Sequence, residues 1–373
     1  MGRTSAASAP LNPLRLSGTA LPPPLLLMAK LVVLIFFVTN ELPQLPDHFL
    51  PFVPAFDDLG SPAVFRRVLQ VIAVVAAVPL FFNRTVRSSC LVVGAVISIG
   101  MLSDRLYFSN NRMFTALILL FTGLYEPGTR ALLVRAQVVL LYFSAGLNKL
   151  LDADWRSGRF MDSWALATDN YELYSRVRSL LPGDAFPKLL AWSVIVLELG
   201  LVVGFLWRRI LPAAVWFGVL NHTGILVATG RPFGMFYYVA LASYLAFADW
   251  PLSERTVRYC HPRASPLARA VRALERLDLE RVFGWRRADE SGVSVEIEGR
   301  RWGGAAALWL ILLHNPFTYV VYALVVSLPF LSSLRGAAAL AFLLFLLPLL
   351  APLGRTLRGL LADRRRPSTM ASA

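Results

Sequence analysis

The chain has 373 residues, 56% of them hydrophobic and 16% charged, with a mean hydropathy of +0.58. Soluble domains average about 45–50% apolar and about 25% charged residues, so the composition excludes an ordinary set of water-soluble domains and asks for many membrane spans. The net charge of +14 is no nucleic-acid signal, because the basic residues stand in pairs between apolar runs and form no basic-aromatic groove. That dispersion is what sets membrane topology.

The 34 arginines against three lysines (Lys30, Lys149, Lys188) fit a GC-rich genome and a bacterial source, and they make each lysine informative. Cys90 and Cys260 are too far apart in context to suggest a disulfide framework, and no metal-ligand spacing exists.

A spanning helix needs roughly 20 apolar residues to cross about 30 Å of hydrocarbon. Residues 1–22 read as a cytoplasmic tail carrying Arg3 and Arg15. The apolar run after Pro22-Pro23-Pro24 ends in a poor cleavage site and reads as an uncleaved span. Candidate spans follow at 23–40, 64–83, 88–103, 113–125, 132–150, 188–207, 210–229 and 232–249. The expected fold is therefore an all-α polytopic membrane helical bundle of about eight spans over 23–250, with a small cytoplasmic α/β insert at 251–303. Hydrophobic helices at 304–354 follow, as a spanning hairpin or in the interface, and then a basic tail at 355–373.

Loops expected on one side carry Arg84 and Arg87, Arg130 and Arg135, and Arg208 and Arg209; the tail adds Arg355, Arg358 and Arg364 to Arg366. The opposite side has 41–62, with four acids and no Lys or Arg, and 151–187, where acids outnumber bases. The positive-inside rule then places both termini in the cytoplasm of a multi-pass protein of the cell (inner) membrane. Trp155, Trp164, Tyr171 and Tyr174 suit a headgroup belt. In the insert, Leu267, Ala270, Val271, Leu274 and Leu277 recur at helical spacing. Val293, Val295 and Ile297 alternate with polar residues as a half-buried strand does.

Ionisable groups in mid-span are expensive and turn inward to partners. Glu198 and His222 lie mid-way along the sixth and seventh spans, at similar depth, and are expected to approach each other or share a cavity. Two readings stand: a functional site, or a buried hydrogen bond that orders two helices. Lys149 ends the fifth span beside a polar stripe of Gln137, Ser144 and Asn148; it either snorkels to headgroups or faces inward. Asn111 and Asn221 are further candidates to line the bundle interior. Lys30 either faces protein or water mid-span, or sits near the inner interface if the boundary shifts.

The stretch Tyr142-Phe143-Ser144-Ala145-Gly146-Leu147-Asn148-Lys149-Leu150, continuing through Asp152-Ala153-Asp154-Trp155 and Gly158, resembles the membrane region of vitamin K-dependent γ-glutamyl carboxylase. More broadly it resembles the HTTM family, over roughly residues 20–250. The resemblance implies a quinone-like ligand as cofactor and a base at Lys149, since a lysine of this motif is regarded as deprotonating vitamin K hydroquinone in the carboxylase. A desolvated lysine can act as a base. Two departures matter: the family's Asn-His pair is Asn110-Asn111 here, and the carboxylase's large extramembrane domain is absent. Glutamate carboxylation is therefore not expected.

Residues 253–320 resemble, more weakly, a DCC-type thiol-disulfide oxidoreductase domain of thioredoxin-like fold. The matches are Tyr259 to Ala268, the Leu277-Asp278 helix end, the strand 293–297 and Asn315-Pro316. Its Cys-x-x-Cys falls on Ser265-Pro266-Leu267-Ala268, so the implied module is redox-inactive.

The favoured reading is an HTTM-type protein that binds or transforms a quinone-like or lipid-like ligand, with membrane lipid around it. The rivals are a scaffold or assembly factor whose insert holds a cytoplasmic protein partner, and a transporter, for which no paired half-signature exists.

Overall fold

Proline opens several helices, because the first turn needs no amide donor and the fixed proline φ suits it. Helix α1 (Pro23–Val38) starts so, as do α2 (Pro62–Phe81) and α14 (Pro316–Ser327). Between them, in chain order, lie α3 (Val86–Ser103), α4 (Asn110–Gly123), α5 (Leu132–Leu151), α6 (Ala153–Ser157), α7 (Arg159–Leu166), α8 (Tyr171–Arg178), α9 (Ala185–Leu206), α10 (Leu211–Thr229) and α11 (Gly234–Ser243). A tight turn of helix at Tyr244–Phe247 extends α11. The computed structural model describes residues 12–327 except 17, 47–49, 169–170, 209, 230–233, 249–254, 261–265, 279–280, 289–291 and 298. The expected helix at 337–354 and the basic tail lie outside the described residues.

Among the described residues, three helices are long and apolar enough to cross a membrane: Pro62–Phe81, Val86–Ser103 and Ala185–Leu206. The apolar helices α1, α10 and α11 are shorter. Helix α4 has 14 residues, and α5, though 20 residues long, carries Arg135, Gln137 and Lys149. Length and apolarity thus support three of the eight expected spans. Val64, Val68, Val71, Val75 and Val78 of α2 are all exposed. An apolar face of that extent is stable against lipid, not water.

Helix α1 is well enclosed: Leu26, Met28, Ala29, Val32, Val33 and Phe36 have no accessible surface. It packs against α11, while α3 packs on α2 and α4, and α5 packs on α9. Lys30, on the same helix, is buried, and its ammonium donates to the carbonyls of Pro13 at 2.7 Å and Arg15 at 2.9 Å. The lysine therefore turns toward the segment before α1. The loop after α1 is clasped by Arg112, which donates to Glu41 at 2.8 Å and to the Tyr107 carbonyl at 2.7 Å.

The insert forms a mixed sheet: β1 (Arg255–Cys260), β2 (Gly284–Arg287), β3 (Gly292–Ile297) and β4 (Arg300–Gly303), in the order β2-β1-β3-β4. β1 and β2 are parallel, joined by the crossover helix α12 (Pro266–Leu277); the other pairs are antiparallel. Parallel neighbours require such a crossover. The expected strand is β3, with Val293, Val295 and Ile297 buried. The expected helix is α12, whose Val271 and Leu274 are buried although Ala270 faces out. Helix α13 (Gly304–His314) has 11 residues, a rise of about 16 Å, too little to span. It packs Ala307 and Ile311 into the sheet's core, Leu313 joins the helical core, and the Leu313 carbonyl accepts the Trp216 indole N–H of α10 at 3.1 Å.

Candidate functional site

The fifth helix turns a narrow face toward α9. Gly146 has no side chain there; a Cβ would stand 2.9 Å from Leu199 and 3.3 Å from the Cβ of Glu198. The missing methyl lets α5 and α9 close together. Three residues on, Lys149 directs its ammonium at Glu198, with Nζ 2.8 Å from Oε1 and 2.7 Å from Oε2. The side chains are 19% and 12% exposed. Two charges so withdrawn from water hold only when paired in good geometry, and here both carboxylate oxygens are engaged.

The stretch after Lys149 builds the roof. Asp152 caps α6: its Oδ1 accepts the amides of Asp154 at 2.7 Å and Trp155 at 3.3 Å, satisfying donors that a helix start leaves free. The cap sets Trp155 with its ring centroid 5.1 Å from the Lys149 ammonium and stacked on Phe160 at 4.4 Å. Gly158, at φ 86°, turns the chain from α6 into α7; a Cβ there would meet the Lys188 backbone nitrogen at 2.5 Å. Only glycine serves both the left-handed turn and the close approach.

These elements enclose a cavity of about 350 Å³, within the size range of small-molecule sites. Its apolar walls include Trp155, Phe160, Met161 and Trp164 from α6 and α7, Val194 from α9, and Leu141 and Ala145 from α5. Its polar lining is Lys149, Glu198, Asn111, Asn221, His222 and Tyr142. His222 Nε2 lies 2.8 Å from the Tyr142 hydroxyl, which also hydrogen-bonds the Tyr244 hydroxyl.

Glu198 and His222 thus share a cavity, but each has another partner, Lys149 and Tyr142. Asn111 and Asn221 join them. Ser144 and Asn148 do not: both are exposed and outside the lining, and Ser144 donates to the Leu141 carbonyl of its own helix at 3.1 Å. A helix turns about 100° per residue, so the face bearing 144 and 148 points away while Lys149 points in. Tyr142, Ala145 and Lys149, at i, i+3 and i+7, form the inward face instead. Trp155 and Trp164, expected among the headgroups, are cavity walls. Tyr142 and Tyr244 were missed: an aromatic hydroxyl in an apolar run carries no signal beyond its spacing from Lys149.

The arrangement offers a largely apolar chamber whose lining includes an ammonium–carboxylate pair and an imidazole. Among the described residues no group of three His, Cys, Asp or Glu is placed to hold a metal ion.

Apolar helices around a buried polar chamber define a membrane protein of multi-helix type. Residues 125–250, which carry Lys149, Glu198 and His222, match the HTTM domain family, in a membrane protein with several apolar helices. No solved structure matches it. The DCC-type likeness of 253–320 is not supported; among the described residues α12 is the module's one crossover helix.

Proposed function

We propose that this chain is a multi-pass membrane protein that takes a quinone-like or lipid-like ligand into the chamber beneath α6 and α7. In this reading Lys149, once its ammonium has lost a proton to water, takes one from the ligand, and Glu198 holds the ammonium that is restored. One observation carries it: the Lys149–Glu198 ion pair on the chamber's wall faces aromatic rings suited to a flat apolar molecule. The resemblance to the carboxylase membrane region supports the quinone class, and glutamate carboxylation is not part of the reading. All eight apolar segments from α1 to α11, with α6 to α8 excepted, lie within the bilayer, and both termini lie in the cytoplasm.

The test is reconstitution in nanodiscs with 2-methyl-1,4-naphthoquinone and its quinol. Binding quenches the fluorescence of Trp155 and Trp164, and Lys149→Ala abolishes oxidation of the quinol by added molecular oxygen while the protein still folds. A wild type that neither quenches nor turns over the quinol removes the reading.

A second reading, a scaffold holding a cytoplasmic protein, is favoured by the sheet having β2 and β4 as its outer strands. Strand edges are templates for pairing with another chain. Loss of a co-purifying protein on charge-preserving substitutions in β2 or β4, with ligand binding intact, supports it.

A further inference from the structure

A second cavity, of about 200 Å³, lies at the opposite end of α5 from Lys149. Arg135 lines it, and at 1.5 Å of rise per residue the two positions stand about 21 Å apart along the helix. The cavity forms where four helix ends meet. The start of α1 supplies Pro22 and Leu25, the loop from α4 to α5 supplies Tyr125 and Arg130, α5 supplies Arg135, and the turn that extends α11 supplies Leu245. In a membrane bundle, helix ends sit at headgroup level, because the hydrocarbon offers their free amides and carbonyls no partner.

The charge on this lining has one sign. Two guanidinium groups face the cavity and no acid does. Glu126, the one acid of the α4–α5 loop, stands outside the lining. Arg135 is anchored: its Nε donates to the Ala246 carbonyl at 2.8 Å, and its guanidinium lies 5.5 Å from the centre of the Phe247 ring. Arg130 is exposed, and neither its side chain nor the Tyr125 hydroxyl makes a hydrogen bond or ion pair among the described residues. Both are donors available to an occupant.

Size and chemistry then select the occupant. Sites that enclose a drug-sized molecule run to about 300–1,000 Å³, so this cavity takes a phosphate with its glycerol and not a nucleotide or a whole cofactor. An arginine fork matches two oxygens of a phosphate. The apolar wall of Pro22, Leu25 and Leu245 suits the glycerol and the first methylenes behind it. No carboxylate lines the cavity to meet the ammonium of a choline or ethanolamine head, so the match is to a headgroup of net negative charge.

We infer that this cavity binds the phosphodiester of an anionic phospholipid, with Arg130 and Tyr125 donating to its oxygens and Arg135 holding the positive field behind them. Basic pockets between helices at the cytoplasmic surface recognise lipid heads in this way. The inference rests on the proposed placement of α1, α4, α5 and α11 in the bilayer, and not on the ligand of the Lys149 chamber.

The test uses full-length protein in nanodiscs of phosphatidylcholine with a minority of phosphatidylglycerol, read by native mass spectrometry after the disc is stripped. The wild type should retain phosphatidylglycerol in preference to phosphatidylcholine. Arg130→Gln should weaken that retention by about 10-fold, and Arg130→Lys, a charge without the fork, should restore part of it. Arg84→Gln is the control, because Arg84 is exposed in another arginine-bearing loop expected on the same side and lies outside the cavity. It should leave retention unchanged. A wild type that holds both lipids equally overturns the inference, and so does an equal loss in Arg84→Gln, which would be diffuse surface charge. Millimolar inorganic phosphate in pure phosphatidylcholine discs should not raise the unfolding midpoint. A rise that Arg130→Gln abolishes, with no retained phosphatidylglycerol, would assign the site to free phosphate and overturn the lipid. Naphthoquinone quenching measured in the same discs reports the other chamber, so failure of that reading leaves this result standing.

Discussion

Lys149 on α5 and Glu198 on α9 are joined through both carboxylate oxygens, and Gly146, one turn before the lysine, is what lets the two helices come that close. Lys149 therefore faces the chamber and does not snorkel. The pair is a packing element and a chemical one at once, which makes its energetics testable.

Removing one partner leaves an uncompensated charge in an apolar wall, which costs about 3–5 kcal/mol. Glu198→Gln and Lys149→Met should each lower stability by that order in detergent unfolding. The double variant Lys149→Met/Glu198→Leu should recover most of the loss while binding no ligand. Additive losses in the double variant would show that the two side chains are not coupled.

Gly146→Leu should force α5 and α9 apart. Overpacking of this kind costs about 1–3 kcal/mol, and the ion pair lengthens with it. Unfolding midpoints give the first effect; weaker naphthoquinone quenching gives the second. A variant of wild-type stability and affinity would mean the helix contact is looser than the geometry states.

Asp152→Ala removes the cap of α6, at about 1 kcal/mol, and frees Trp155 from its place over Lys149. The chain has nine tryptophans, so the measurement is a difference spectrum against Trp155→Phe. The Trp155 emission should shift toward that of a water-exposed indole. An unshifted component would place the ring's anchor in its stack on Phe160 instead.

In the sheet module, buried Asp278 accepts the amides of Val282 at 2.8 Å and Phe283 at 3.0 Å and the Trp285 indole N–H at 2.9 Å. Asp278→Ala strands three donors, and hydrogen bonds to a charged group contribute about 1.5–3 kcal/mol each. Destabilisation of at least about 4 kcal/mol is expected, seen as faster hydrogen exchange at the amides of 282 and 283. Unchanged exchange there would show that the loop is held by other contacts.

What was legible in the sequence followed the size of the physical penalty. Lys149, Glu198 and His222 stood out because ionisable groups in apolar runs are costly wherever they are not partnered. Ser144 and Asn148 misled because exposed small polar residues carry almost no penalty, so their spacing reports little about which face turns inward. β3 was readable from clean alternation, whereas β2 and β4 are four residues each, rich in arginine and glycine, with no period to detect. The roof helices α6 and α7 were hidden by aromatics that suit a lipid interface and a binding chamber equally well.

Helix α13 belongs to two cores, with Ala307 and Ile311 under the sheet and Leu313 against the bundle. A construction seam between β4 and α13 therefore does not exist. Scission there would strip the sheet of its floor and leave the Trp216 indole without its acceptor, on the same helix that carries His222. Heat should accordingly melt the two halves in a single step, and no protease cut in that stretch should release a soluble fragment that keeps its shape.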